Sequence, residues 1–252
     1  MMTTPSTTTT TTLTPSGDRT APSGPAARDE RRLLFCGVLV GATYLIGMAF
    51  ITVFFATSHP AMDATPVEAA VGFRDAAGMV GLATFLGMLP LPFALLFLGG
   101  LDTVLRRVAG GPLVPAAISA GVLSFLIPAI GMLVSAVTPA IGAADTSAAA
   151  GAVVKALDGV MPLSVALSGF PRAVLVVAVL VLLARAGLAG RVLGVAGYGI
   201  AGLGIIGTGT FLAQGLFPVA NLSALLFVAW VTTLAVVLLR RATVRVARTR
   251  AA

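Results

Sequence analysis

Residues 161–184 read MPLSVALSGFPRAVLVVAVLVLLA, a run with one charge, Arg172. About 20 apolar residues in a helix cross the ~30 Å hydrocarbon core of a bilayer. Comparable runs recur along the chain and predict transmembrane segments near 33–56, 79–100, 113–137, 161–184, 192–214 and 216–239. The composition agrees: 58% hydrophobic residues, 10% charged, and a mean hydropathy of +1.03. An ordinary soluble domain is about a quarter charged. The runs are continuous, without the period-two alternation of a membrane barrel. The expected fold class is all-α, a polytopic integral membrane protein with six transmembrane helices.

The charges orient this bundle. Arg19, Arg28, Arg31, Arg32, Arg106, Arg107, Arg185, Arg191, Arg240, Arg241, Arg245, Arg248 and Arg250 fall on one side of the predicted topology. The other side has Arg74 and Lys155 against Asp63, Glu68, Asp75, Asp145 and Asp158. Basic residues in short loops stay cytoplasmic, which predicts both termini inside (N-in/C-in) and a multi-pass protein of the plasma (inner) membrane. The asymmetry accounts for the net charge of +7 without a nucleic-acid partner. The bias towards Arg, Ala, Gly and Val is that of a GC-rich bacterial genome.

Residues 1–32 are rich in Thr, Ser and Pro, and are expected to be a disordered cytoplasmic tail because they offer almost nothing to bury. At the other end, 241–252 is a second, basic cytoplasmic tail that can attract anionic lipid. Its simpler role is to hold the C-terminus inside.

Each long connection on the arginine-poor side carries a helix signal. Thr65-Pro66-Val67-Glu68 reads as a capping box with proline at the first helical position, followed by Val67, Ala70 and Val71 on one face. Asp145 or Thr146 can cap a second helix with Val153, Val154 and Leu157 at helical spacing. Segments 92–111 and 171–190 also align without gaps: each has a proline, an arginine fourteen residues later and a small-residue exit. This is a faint echo that suggests the two helices cross at similar depth.

Few residues here can carry chemistry. One cysteine, Cys36, and one histidine, His59, leave no disulfide framework and no multi-histidine metal site. The chain shows no nucleophile–base pair, no phosphate-cradling loop and no zinc motif. No enzyme activity, cofactor or metal is expected. His59, beside Pro60, is expected in a solvated loop. Pro90, Pro92, Pro128, Pro171 and Pro218 lie inside apolar runs and should kink them. Gly194, Gly197, Gly199, Gly202, Gly204, Gly207 and Gly209 scatter around the fifth segment, which suits close packing on several sides better than a hinge. Gly37 and Gly41 form a GxxxG pair of the kind that can join helices, within the chain or in a homo- or hetero-oligomer.

Arg172 is the one charge deep in an apolar run. It lies thirteen residues from Arg185, about 20 Å along a helix and roughly 10 Å below the arginine-poor surface. A helical side chain leans towards its helix N-terminus, so snorkelling to that surface is the simpler expectation. Pro171 also frees the Leu167 carbonyl as a local partner. The functional expectation starts from Ser164, Ser168 and Arg172, spaced four apart on one face. Thr52, Thr84, Ser135, Thr208, Thr210, Gln214, Asn221 and Ser223 also fall in the outer halves of their segments. With them, Gln214 and Asn221 above all, this face would line a polar pocket, open to the outside, for a small anionic or apolar molecule or lipid, bound or transported. The alternative is a non-catalytic accessory or scaffolding protein acting through helix–helix contacts.

Overall fold

The structure, a computed structural model, describes residues 25–251 apart from Met62 and Ala189, with the side chains at 25–27, 214 and 242–251 left out. The expected tail 1–24 lies outside the described residues, as do the side chains of the basic tail from 242. Every regular element described is helical: α1 (Pro25–Thr57), α2 (Pro66–Asp75), α3 (Ala77–Met88), α4 (Pro90–Val108), α5 (Leu113–Ser135), α6 (Thr138–Ala144), α7 (Ala148–Asp158), α8 (Val160–Leu167), α9 (Gly169–Arg185), α10 (Arg191–Thr208) and α11 (Phe217–Ala251). Short 3₁₀ turns at Gly209–Phe211 and Gln214–Leu216 join the last two.

These elements make six helical crossings long and apolar enough to span a membrane: Arg28–Thr57, Ala77–Val108, Leu113–Ala144, Ala148–Arg185, Arg191–Phe211 and Phe217–Arg241. The chain is an all-α polytopic membrane protein. Where the tail was expected to run to residue 32, α1 already begins at Pro25. Proline suits a first helical turn, and the Ala- and Arg-rich residues after it favour helix. Glu30 then fixes this extension by a bidentate pair with Arg107, 2.7 Å at the shorter contact.

The bundle is solid in one half and hollow in the other. In the half next to the arginine-bearing turns, Leu34, Phe97, Leu105, Leu175, Leu182 and Leu234 interlock in one core with essentially no exposure. Trp230 closes it by donating its indole N–H to the Leu193 carbonyl at 3.2 Å. Glycines bring the helices close there. A Cβ on Gly37 would fall 2.6 Å from both Ala235 and Phe97, and one on Gly41 would strike Thr232. The GxxxG pair therefore packs α1 against α4 and α11 within the chain. The turn after α9 closes with Gly187 at φ 65° and Leu188 N–H donating to the Leu183 carbonyl at 2.7 Å, a Schellman arrangement that a residue with a Cβ disfavours.

In the other half the spans are interrupted. The second breaks at Leu89, before Pro90 opens α4; the third contains Pro128; the fourth breaks at Gly159 and again at Ser168. Each proline deprives the carbonyl four residues back of its donor and pushes it aside, so the helix bends there instead of filling the axis.

A cap of α2, α6 and α7 closes over this half. Thr65 and Glu68 form the expected capping box, with Thr65 N–H donating to Glu68 Oε2 at 2.7 Å. The buried face of α2 is Ala69, Ala70 and Phe73, while Val67 is 44% exposed, so the expected apolar face is rotated. Two neighbours fix that rotation: Gly142 of α6 and Gly151 of α7 lie against the Ala70 and Pro66 carbonyls. The cap of α7 is Ser147, one or two residues beyond the expected Asp145 or Thr146; Asp145 instead accepts from Ser147 N–H at 2.8 Å.

Candidate functional site

The hollow half encloses a cavity of about 840 Å³, within the roughly 300–1,000 Å³ of pockets that enclose a whole small molecule. α1 presents Tyr44, Met48, Ile51 and Phe55 to it, successive turns of one face, and α5 presents Ser124, Pro128, Met132 and Ser135. Its walls are mainly apolar, from α3, α4, α8 and α11 as well.

Arg172 forms the deep end. Its side chain is 2% exposed, so it does not reach the surface as the snorkelling expectation had it. The direction was right and the destination was not. Nη2 donates one turn back to Ser168 Oγ at 2.6 Å, and Nη1 donates across to Ser223 Oγ at 3.1 Å. The Phe227 ring stands below the guanidinium, 5.4 Å from its centroid. Hydroxyls, not the Leu167 carbonyl, are its hydrogen-bond partners. What turns Arg172 inward is the close seating of α9 on the α10–α11 hairpin: Gly169 lies against the Gly204 carbonyl, leaving no room for a Cβ.

Both serines are satisfied independently of the arginine. Ser168 Oγ donates to the Val165 carbonyl at 2.7 Å and Ser223 Oγ to that of Ile200 at 3.4 Å, so each offers lone pairs to the cation. A guanidinium has five N–H donors, and two are used here. Nε is buried with no partner. No carboxylate pairs with Arg172 among the described residues; the only one bordering the cavity, Asp158, lies at the far end. A buried charge with unused donors and no counter-ion is costly in a low-dielectric interior, and an anion reaching it would relieve that cost.

The other expected site residues divide. Ser168 and Asn221 join Arg172, one by a hydrogen bond and the other by bordering the same cavity. Ser164 does not: the break at Ser168 swings α8 away, and the Ser164 hydroxyl packs on Gly131 of α5 while donating to the Met161 carbonyl at 2.6 Å. The side chain of Gln214 lies outside the described residues. Phe227 and Tyr44 were missed by sequence reasoning. Ser223 carried a signal, two residues from Asn221, but nothing in the sequence pairs α11 with α9.

The cavity mouth holds a second polar group. His59, expected in solvent, is a buried side chain (6% exposed) enclosed by Phe54, Phe55 and Phe73. Its Nδ1 is 2.6 Å from the Pro60 carbonyl and its Nε2 is 3.3 Å from Asp158 Oδ2, an ion-pair distance without hydrogen-bond alignment. Desolvation opposes its protonation, but the Asp158 carboxylate and the Pro60 carbonyl together outweigh it and hold its pKa above the ordinary value of 6.5. Lys155 donates from Nζ to the Ala64 carbonyl at 2.7 Å, joining α7 to the start of α2. Among the described residues, no three His, Cys, Asp or Glu side chains are close enough to hold a metal ion.

The chain matches no family model, no curated protein and no solved structure.

Proposed function

We propose that this protein binds a small anionic molecule inside its transmembrane bundle, with Arg172 as the anion's partner and the cavity as its enclosure. One observation carries the reading: a buried, unpaired arginine with donors to spare borders a cavity large enough for a whole ligand. Ser168 and Ser223 hold the guanidinium in place, and Asn221 offers an amide for a second hydrogen bond. The arginine-bearing turns are the cytoplasmic ones in this reading, by the positive-inside rule, so both termini are inside and the cavity belongs to the outer half of a plasma membrane. A transporter and a membrane receptor for such an anion share this arrangement.

The accessory-protein alternative loses part of its support, because Gly37 and Gly41 pack on α4 and α11 and Gly204 and Gly207 on α9 and α11 within the chain, whereas Gly194, Gly199 and Gly202 of α10 meet nothing within 4 Å and leave that face of α10 open.

A thermal-shift panel of carboxylates, sulfonates and phosphates on the purified protein tests the reading. A binding anion raises the unfolding midpoint of the wild type and leaves Arg172→Leu unmoved. An equal rise in both proteins would place the anion elsewhere. No rise with any anion would remove the proposal.

A further inference from the structure

We propose that the ligand is a single-chain amphiphile, an alkyl carboxylate with a tail of about ten to twelve carbons. Its head would lie on Arg172 and its tail would run along α1 and α5 towards the cap. This rests on the anion-binding reading above and specifies its substrate class.

Length is the first argument. The cavity follows α1 from Tyr44 to Phe55 and α5 from Ser124 to Ser135. Either stretch is twelve residues, so its ends are eleven steps of ~1.5 Å apart, about 16 Å. An extended alkyl chain advances roughly 1.3 Å per carbon, so ten to twelve carbons fill that length. A compact anion would leave most of it empty.

The second argument is where the polarity lies. Two cations border the cavity, Arg172 at the deep end and Lys155 on the cap helix that carries Asp158, and the walls between these two ends are mainly apolar. A hydrophilic solute would lose hydrogen bonds with water along that length without replacement, whereas an alkyl tail loses none. Planarity favours a carboxylate head, because adjacent guanidinium N–H groups take two oxygens side by side. Lastly, the cavity touches the bundle's flank. Phe55 of α1 and Leu163 of α8 border it while 45% and 39% exposed. A tail already dissolved in lipid can therefore be received from the side.

Equilibrium binding of radiolabelled dodecanoate to the full chain in lipid nanodiscs tests this, with empty nanodiscs subtracting the lipid-dissolved fraction. One saturable site per chain is expected. Unlabelled dodecanoate should displace it, dodecanol should not, and butyrate should do so only at concentrations at least about 100-fold higher, since each buried methylene adds several-fold in affinity. Ala129→Phe, which fills the middle of the cavity, should weaken dodecanoate by at least about tenfold and leave butyrate unchanged; Thr84→Phe is an independent block from α3. If butyrate competes as well as dodecanoate, the anion site stands and the amphiphile is overturned. If dodecanol competes equally, or no saturable binding occurs, the alkyl carboxylate is overturned, while the anion site itself stands or falls on the thermal-shift panel. The alcohol comparison uses the wild type and so does not depend on any variant folding.

Discussion

Arg172 Nη1 donates to Ser223 Oγ at 3.1 Å, joining the fourth crossing to the sixth through the buried interior of the bundle. Hydrogen bonds between membrane helices average about 0.6 kcal/mol, and a charged donor raises the figure towards about 1.5–3 kcal/mol. Ser223→Ala should therefore destabilise the protein by about 1–2 kcal/mol, measured by reversible denaturation in mixed micelles. It should also weaken anion binding, because a guanidinium held only by Ser168 is less well placed.

Replacing the cation itself should act in the opposite direction on stability. Ser168 and Ser223 keep their own carbonyl acceptors when the arginine is gone, so no new unsatisfied hydroxyl is created. Arg172→Met removes an uncompensated buried charge and retains much of its volume. The ligand-free variant is expected to be more stable than the wild type by about 1–3 kcal/mol, while anion-dependent stabilisation disappears. A loss of stability in Arg172→Met would show that the charge already has a counterpart within the fold.

The His59–Asp158 pair predicts a pH dependence of the cap. The folded-state pKa of His59 is raised above 6.5, so the pair's contribution is complete below the unfolded value and is lost as pH rises through the folded one. Amide hydrogen exchange in α2 and α7 should accelerate from about pH 6 to about pH 8 beyond the intrinsic base-catalysed rise. His59→Phe should abolish that excess. The expected size is modest, since Asp158 is 29% exposed on its side chain and screened by solvent.

Two glycines of α10 should respond oppositely to the same change. A Cβ on Gly207 would sit 2.6 Å from Ala220 Cα, a backbone contact that can be relieved only by moving α10 from α11. Nothing lies within 4 Å of one on Gly199. Gly207→Ala is expected to cost about 1–3 kcal/mol, whereas Gly199→Ala should be neutral or stabilise by up to about 1 kcal/mol through helix propensity. Thermal midpoints of the two variants, side by side, check it. A similar loss in both would mean that the outer face of α10 is also a contact surface.

Much of this architecture could be read directly. The six crossings followed from apolar runs whose length matches a bilayer, and the capping box at Thr65–Glu68 from four consecutive residues. Both signals are local, which is why they survive folding unchanged. The rotated face of α2 was not legible, because Ala69 and Phe73 are buried by glycine-bearing helices far along the chain. His59 was misread for the same reason. Its neighbours Phe54 and Phe55 are close in sequence, but Asp158 and Phe73, which complete its enclosure, belong to other helices.

By itself, the sequence determined that this chain is a bundle of membrane helices with one charge, Arg172, in the middle of an apolar run, since hydropathy and side-chain direction depend on residues a few positions apart. Only the tertiary structure decided what that charge faces. The break at Ser168, the contact of Gly169 with α10 and the hydroxyl of Ser223 turn Arg172 inward, and prolines in several crossings hold the space before it open. Those are relations between helices, and no periodicity within a single helix encodes them.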